Sequence, residues 1–197
     1  MIQKNMKKII VFGSGNGSNF QAIVEYFRKR RLPVEISFVF CENPKAKIIE
    51  RAKFLGIKTI IEDYKKFQSR KDFDERIMKI LDSFDFDLLI LAGYMKILSK
   101  DIVKKYKYKI VNIHPSLLPA FPGLNAIEKA YRYGVKYTGI TIHYVDEGID
   151  TGPIIEQVAV RIKDGESLEE LEERIHRIEH HFYPRTIEKL LFKEELK

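Results

Sequence analysis

Residues 9–19 read Ile9-Ile10-Val11-Phe12-Gly13-Ser14-Gly15-Asn16-Gly17-Ser18-Asn19. Four consecutive apolar residues followed by glycines are typical of a strand buried on both faces of a parallel sheet. A helix is predicted to begin at Ser18 or Asn19, because apolar residues then recur at helical spacing, at Phe20, Ile23, Val24 and Phe27. A strand, a glycine loop and a helix in this order predict the first unit of an α/β fold.

The alternation of strands and helices continues beyond Pro33, which ends the first helix. Further strands are predicted over 34–40, 58–61, 87–91 and 110–113, with helices over 44–55 and 70–84. This order predicts a doubly wound, mostly parallel sheet with right-handed crossovers.

The second half of the chain has a different pattern, which begins with a proline-rich loop over 115–122. A short helix is predicted over 126–133, a pair of antiparallel or edge strands over 137–145 and 154–160, and a long C-terminal helix over 167–191. No internal repeat or low-complexity linker divides the sequence. We therefore predict a single domain over 1–197.

Composition narrows the class of protein. The 197 residues are 45% hydrophobic and 32% charged, which is typical of a globular protein with a sizeable core. No apolar run approaches the roughly 20 residues that span a bilayer, and residues 1–8 lack the features of a signal peptide. The single cysteine, Cys41, suits a reducing compartment. The cytoplasm is therefore the predicted location.

Basic residues outnumber acidic ones by 35 to 28, and the formal net charge is +7. They form short runs interspersed with acids, which is typical of solvated helix faces. We therefore predict small anionic substrates, and neither nucleic acid nor a membrane, as partners.

The glycine loop can hold a phosphate group. Glycines let backbone N–H groups approach an anion closely, and the N-terminus of the following helix adds positive potential. The loop does not match the dinucleotide pattern G-x-G-x-x-G, because Ser18 stands at the last glycine position. It is not a P-loop either, since no Gly-Lys-Ser/Thr follows. A phosphate monoester is the predicted ligand, and a tight turn without a ligand is the alternative.

Polar residues that suit acyl transfer follow the strand over 110–113. Asn112 and His114 point to the same face of a strand and can both donate hydrogen bonds to an oxyanion. Asp150, in a glycine-rich loop over 146–153, can keep the imidazole charged and relay protons through water. Sequence distance alone does not place Asp150 beside His114, so purely structural roles remain the alternative.

His176-Arg177-Ile178-Glu179-His180 matches the zinc-peptidase pattern H-x-x-E-H. A catalytic zinc site needs a third protein ligand, for which few residues remain. A cluster that faces a substrate or caps the helix is favoured instead, and no metal is predicted.

Three strings of the sequence carry a resemblance to a known family: Gly15-Asn16-Gly17-Ser18-Asn19, Asn112-Ile113-His114-Pro115-Ser116-Leu117-Leu118-Pro119 and Asp150-Thr151-Gly152-Pro153-Ile154. Over about 8–190 the chain resembles the folate-dependent formyltransferases. The resemblance implies a Rossmann-like formyltransferase fold and 10-formyltetrahydrofolate as the formyl donor. It also implies that Asn112, His114 and Asp150 are the catalytic residues.

The string from Asn112 to Pro119 does not identify the acceptor of the formyl group. It is shared by methionyl-tRNA formyltransferases, formyltetrahydrofolate hydrolases and sugar-nucleotide formyltransferases. The glycine loop, the length and the segment Glu179-His180-His181-Phe182-Tyr183-Pro184 resemble members that formylate 5'-phosphoribosylglycinamide in de novo purine biosynthesis. This likeness implies that Gly15, Asn16, Gly17, Ser18 and Asn19 hold the phosphate and that Glu179 accepts hydrogen bonds from the ribose. Residues 1–85 are then the phosphate-binding half, and 86–197 the folate-binding and catalytic half, of a monomer or homodimer.

The resemblance also implies a folate site. Its predicted residues are Arg70, Met95, Lys96, Ile97, Leu98, Asn112, Asp146, Glu147, Gly148, Ile149 and Asp150. Two positions depart from the family pattern: Lys96 replaces a common arginine, which exchanges a planar fork for a point charge, and Asn125 replaces a common histidine.

Two alternatives for the function stay open. One is a formyltransferase or hydrolase with another acceptor, and the other is a catalytically silent phosphate- or nucleotide-binding module.

Overall fold

The structure is a computed structural model that describes residues 6–192, so residues 1–5 and 193–197 of the predicted domain lie outside the described part. The strands within it are β1 (Lys7–Phe12), β2 (Val34–Cys41), β3 (Thr59–Ile61), β4 (Leu88–Leu91), β5 (Ile110–His114), β6 (Tyr137–Tyr144) and β7 (Ile154–Arg161). They form one sheet in the order β3-β2-β1-β4-β5-β6-β7. The pairings from β3 to β5 are parallel, whereas β5–β6 and β6–β7 are antiparallel.

Helices cover both faces of this sheet. They are α1 (Ser18–Arg30), α2 (Lys47–Phe54), α3 (Arg70–Asp82), α4 (Lys100–Lys105), α5 (Ala126–Tyr133) and α6 (Leu168–Leu191). Ile9 and Val11 of β1 pack with α1, α2, α5 and α6, and the alternate residues Ile10 and Phe12 pack with α3 and α4. The predicted doubly wound fold class, its antiparallel C-terminal strands and its long C-terminal helix are confirmed.

Two helices have boundaries that differ from the predictions by two or more residues, and one helix was not predicted. Helix α2 begins at Lys47 rather than at the proline, because Pro44 lies in a turn closed by a hydrogen bond from Ala46 N to Asn43 O (3.0 Å). Helix α3 ends at Asp82. The short helix α4 was not predicted; the Ser99 hydroxyl caps it by accepting from Ile102 N (3.4 Å).

The strand order places a crevice at the carboxyl ends of the central strands. Strand β1 has β2 on one side and β4 on the other, both parallel to it, so the chain reverses its direction of winding at β1. In open α/β sheets, ligands bind outside the carboxyl ends of the strands at such a point. The glycine loop after β1, the loop 92–98 after β4 and the end of β5 therefore lie together.

A buried tyrosine connects α6 to this edge. The Tyr183 hydroxyl, which is fully buried, donates to the carbonyls of Leu91 (2.9 Å) and Val111 (3.0 Å), at the end of β4 and in β5. Burial raises its pKa well above that of an ordinary tyrosine, so the hydroxyl keeps its proton and donates. The Tyr-Pro segment of the sequence thus has a structural role.

We expect Tyr183→Phe to destabilise the fold by about 1–2 kcal/mol, because it removes a buried hydrogen-bond donor. For a chain of this size, that corresponds to a fall in Tm of roughly 2–8 °C. Thermal unfolding followed by circular dichroism measures it. Tyr137→Phe, at a tyrosine that is 58% exposed, is the matched control. Equal Tm values for the two variants would contradict the assignment.

None of the helices in residues 6–192 combines the length and apolarity that a bilayer crossing needs.

Candidate active site

A cleft of about 670 Å³ opens at the carboxyl edge of the sheet. Of the predicted site residues, those that line it are Gly15, Asn16, Gly17, Ser18, Asn19, Met95, Lys96, Ile97, Leu98, Asn112, His114, Asp146, Gly148, Ile149, Asp150 and Glu179. Arg70 and Glu147 are not among the lining residues. The fold therefore brings most of the predicted positions, which are far apart in the sequence, to one concave surface.

The glycine loop is fixed in position by α2. A side chain at Gly17, which has φ of 75°, would put its Cβ 2.7 Å from Cβ of Ile48. The Ile48 amide donates to Gly15 O (3.1 Å), and Arg51 donates to Asn16 O (2.7 Å). Helix α1 begins at Ser18 without a side-chain cap, so its first backbone N–H groups remain available to an anion.

Glu179 connects this loop to α6. Its side chain is almost fully buried, and Oε2 accepts a hydrogen bond from Asn19 Nδ2 (3.1 Å). The same oxygen lies 2.9 Å from His176 Nδ1. The other carboxylate oxygen has no such bond within the described residues, so it can accept from a ligand hydroxyl.

His114 is buried between two acceptors. Its Nε2 lies 2.9 Å from the Phe121 carbonyl, and its Nδ1 lies 3.3 Å from Asp150 Oδ2. The carbonyl can only accept, so Nε2 carries a proton, and the Asp150 carboxylate places a negative charge beside Nδ1.

Asp150 is held in an unusual backbone conformation. Its φ is 55°, in the left-handed region that non-glycine residues rarely adopt, and such strain is typical of functional sites. Oδ2 accepts from Gly123 N (2.8 Å), which ties the loop over 146–153 to the proline-rich loop. A Cβ at Gly152 would lie 1.8 Å from the Tyr144 carbonyl, so the glycine lets this loop fold back against β6. The Asp150 carboxylate thus reaches His114 across a long sequence separation.

The pKa of Asp150 is lowered below the ordinary value of 3.8. The His143 ring is the first cause of a lowered value, through a proton on Nε2, which lies 3.7 Å from Oδ1. That distance is too long for a hydrogen bond, and a neutral ring whose Nε2 accepts from Asn112 cannot donate there, so the Gly123 amide and the His114 ring account for the lowering. Partial burial opposes the shift, whereas the Gly123 amide and the His114 ring support it. Asp150 is therefore ionised at neutral pH.

His143 is a site residue that the sequence analysis missed. It lies on β6 directly opposite Asn112 of β5, and it is 2% exposed. Its Nδ1 lies 2.9 Å from the Tyr144 carbonyl, and its Nε2 lies 3.2 Å from Asn112 Nδ2. Because the carbonyl can only accept, Nδ1 carries a proton, and neutral Nε2 accepts from the Asn112 amide. The second N–H of that amide remains available on the cleft side.

We expect His143→Leu to lower kcat about tenfold, because losing one neutral hydrogen bond that orients the Asn112 amide costs about 1–1.5 kcal/mol. The KM values for both substrates should change little, since the ring acts through Asn112. His143→Gln, which can still bond to that amide, should recover part of the loss. A steady-state comparison of the three proteins measures this, and full activity in the leucine variant would contradict it.

The other end of the cleft is apolar. Met95, Ile97, Leu124 and Ile149 are between 54% and 67% exposed, and all four line the cleft. Exposed apolar side chains grouped in this way mark a ligand-binding surface. This end offers an apolar surface to a ligand.

Lys96, Arg70 and Glu147 lie around that apolar end. The Lys96 ammonium is 4.2 Å from the centre of the Tyr64 ring. Arg70 donates to the carbonyl of Ile97 and pairs with Asp74 (2.9 Å), and Glu147 pairs with Lys104 (3.8 Å). Arg70 thus anchors the loop that carries Ile97, whereas the solvent-exposed pair of Glu147 contributes little to the position of its loop.

A mostly parallel sheet that carries a glycine loop before an uncapped helix, and an amide, an imidazole and a carboxylate at its carboxyl edge, is typical of an α/β group-transfer enzyme. Residues 7–187 match the family described as "Formyl transferase". The chain belongs to the formyl transferase family, which confirms the resemblance seen in the sequence.

Individual relatives agree with this family. The chain is 46% identical over 186 residues to a phosphoribosylglycinamide formyltransferase of Bacillus subtilis, covering 94% of this chain and 95% of the relative. A crystal structure of glycinamide ribonucleotide transformylase 1 from Geobacillus kaustophilus is 48% identical, with a TM-score of 0.91 over 95% of this chain and all of that one. The phosphoribosylglycinamide formyltransferase structure from Bacillus halodurans is 45% identical, with the same TM-score over 95% of this chain and 97% of that one.

Proposed function

We propose that this chain transfers the formyl group of 10-formyltetrahydrofolate to the amine of 5'-phosphoribosylglycinamide, a step of de novo purine biosynthesis. The convergence of Asn112, His114 and Asp150 between a phosphate-type loop and an apolar surface carries the proposal. The activity for which the relatives are named supports the same acceptor, and these relatives match nearly the whole chain.

In the proposed reaction, the acceptor amine attacks the formyl carbon directly, and no covalent enzyme intermediate forms. The carbonyl oxygen becomes an oxyanion, which the free N–H of Asn112 and the positive charge of His114 stabilise. The bond from carbon to N10 of the folate then breaks. The amine loses one proton and N10 gains one, and Asp150 moves the proton through water while keeping His114 charged.

The two substrates occupy opposite ends of the cleft in this proposal. Residues 15–19 hold the phosphate, and Glu179 accepts from the ribose through its free oxygen. Folate lies against the apolar end formed by 95–98 and 146–150. Arg70 supports that end through its hydrogen bond to the Ile97 carbonyl rather than by lining it.

This arrangement corresponds to two functional parts of one domain, with residues 1–85 for the phosphate and 86–197 for the folate and the chemistry. No step of the reaction needs a metal ion. The activity is proposed for the cytoplasm, where a free thiol such as Cys41 persists.

A spectroscopic assay for tetrahydrofolate formation tests the function. Release should depend on 5'-phosphoribosylglycinamide and should not occur at a comparable rate with a sugar-nucleotide amine or with water alone. Release without any amine acceptor would identify a hydrolase. Binding of both ligands without release would identify a silent binding module.

A further inference from the structure

Two residues of the candidate active site are held by backbone groups of one loop. The carbonyl of Phe121 accepts from Nε2 of His114 (2.9 Å), and the amide of Gly123 donates to the Asp150 carboxylate (2.8 Å). A shift of this loop would therefore move both side chains at once. Because catalytic groups act only in the right geometry, the position of the loop matters for the chemistry.

The conformation of this loop needs support from the rest of the fold. Phe121 has φ of 52°, in the left-handed region, and a residue with a side chain keeps such a conformation only where its surroundings impose it. The Phe121 ring packs against the Tyr133 ring, with 5.9 Å between the ring centres, but Tyr133 is 79% exposed. The buried support of the loop must therefore come from other contacts.

Thr141 of β6 is the buried residue that supports the loop. It lies opposite His114 in the pairing of β5 with β6, and opposite Gln157 in the pairing of β6 with β7. Residues that are directly opposite in an antiparallel pair lie on the same face of the sheet. The three side chains therefore form one row across the antiparallel part of the sheet, in which Thr141 is fully buried.

The Thr141 hydroxyl binds the first residues of the loop with all of its hydrogen-bonding capacity. It donates to the Ser116 carbonyl (2.7 Å), and it accepts from the Leu118 amide (3.1 Å) and from Gln157 Nε2 (2.9 Å). A hydroxyl has one proton to donate and two lone pairs, so no capacity remains. The same Gln157 nitrogen donates to the Leu118 carbonyl (2.9 Å), so both backbone groups of Leu118 are bound to the sheet.

Ser116 extends this network along the loop. Its amide donates to the His114 carbonyl (2.9 Å), and its hydroxyl donates to the Ala120 carbonyl (2.6 Å). Ser116 is fully buried, and Ala120 directly precedes Phe121. A continuous set of hydrogen bonds thus connects Thr141 to the residue before the one whose carbonyl holds the imidazole.

We propose that Thr141 is a positioning residue, which fixes the loop whose Phe121 carbonyl holds the His114 imidazole in place for catalysis. Gln157 supports Thr141 from the edge strand β7. The inference rests on the proposed function, since formyl transfer is its kinetic readout. A buried polar network is rigid when every member is bonded and costly when one is left unpaired, so loss of the single hydroxyl should loosen the loop.

The test is Thr141→Val, which has nearly the same shape and lacks the hydroxyl. It leaves the Ser116 carbonyl and the Leu118 amide unpaired in a buried place. The kcat for formyl transfer should fall about tenfold or more, because small displacements of catalytic groups have large effects on rate. The KM values for both substrates should stay within about threefold of the wild type, since Thr141 does not line the cleft.

Two further variants on β6 are the controls. Thr141→Ser keeps the hydroxyl, and its kcat should stay within about twofold of the wild type. Thr138→Val makes the same exchange at another buried threonine, whose hydroxyl has no hydrogen-bond partner among the described residues. It breaks no hydrogen bond of the network, so its kcat should equal that of the wild type.

Gln157→Leu keeps the proposal testable should Thr141→Val fail to fold. The side chain of Gln157 is exposed at the edge of the sheet, so its replacement leaves the core intact. The variant loses the bonds to Thr141 and Leu118, and its kcat should fall about three- to fivefold. Wild-type kcat in Gln157→Leu would then overturn the proposal.

NMR spectra of the histidine ring protons separate positioning from a role in stability alone. The Nε2 proton of His114 is buried and bonded to a carbonyl, so it should exchange slowly with water and give a signal, which His114→Ala assigns by its absence. The signal should be lost or broadened in Thr141→Val and retained in Thr141→Ser and Thr138→Val.

A folded Thr141→Val with wild-type kcat, or with an unchanged His114 signal, would overturn the proposal, as would equal losses of kcat in Thr141→Val and Thr138→Val. Failure of the proposed function has a different signature. The wild type would then release no tetrahydrofolate with 5'-phosphoribosylglycinamide, whereas the His114 signal would still distinguish Thr141→Val from its controls.

Discussion

Asp150→Asn should lower kcat by about a hundredfold or more, in the range that general acid–base assistance contributes. The amide cannot exist as an anion, so it neither balances the charge on His114 nor carries a proton from the attacking amine. The low pKa of Asp150 means that the wild-type carboxylate is ionised throughout the neutral range. The loss should therefore appear at every pH near neutrality.

The fold should survive this substitution. The amide oxygen of the variant side chain can still accept the hydrogen bond from Gly123 N that joins the two loops. Because the folded-state pKa of Asp150 is lowered, its ionised form stabilises the protein above the unfolded-state pKa, and that contribution is lost on acidification or in the variant. We expect an unfolding free energy within about 1 kcal/mol of the wild type. Asp164→Asn, at an exposed turn position, is the control for the change of an aspartate to an asparagine. Activity of Asp150→Asn within a few-fold of the wild type would refute the role of the carboxylate.

The parallel half of the fold could be predicted because its strands are buried on both faces. Runs such as Ile9–Phe12 have no room for polar residues, so they stand out in the sequence. Helix α4 could not be predicted in this way, since its six residues depend on the Ser99 cap and on packing of Ile102 against the sheet. The start of α2 was misplaced because a proline also suits the turn before a helix.

The site shows the same division between local and long-range information. Asn112 and His114 lie two residues apart on one strand, so their convergence follows from strand geometry. Asp150 reaches His114 only through the fold of two loops joined at Gly123, and no local pattern encodes that contact. His143 could not be found from the predicted pairing of 137–145 with 154–160, because it is the antiparallel pairing of β6 with β5 that places it opposite Asn112.

His114→Ala should also lower kcat by about a hundredfold or more. The variant lacks the positively charged ring that stabilises the oxyanion, and water is a poor substitute for that ring in a buried site. The KM values should change less than kcat, since the interaction forms mainly in the transition state. Single-turnover measurements of tetrahydrofolate release separate this loss from any change in substrate binding. A variant that turns over at near the wild-type rate would exclude the imidazole from the chemistry.

The double variant His114→Ala with Asp150→Asn distinguishes a coupled pair from two independent groups. If Asp150 acts mainly by keeping His114 charged, replacing Asp150 should change kcat little further once the His114 ring is absent. The double variant should then be about as slow as the slower single variant, as residues that act as a unit are strongly non-additive. If Asp150 instead acts only as a separate proton relay, the two losses should multiply. The contact of 3.3 Å between Nδ1 and Oδ2, inside a buried site, favours the first result.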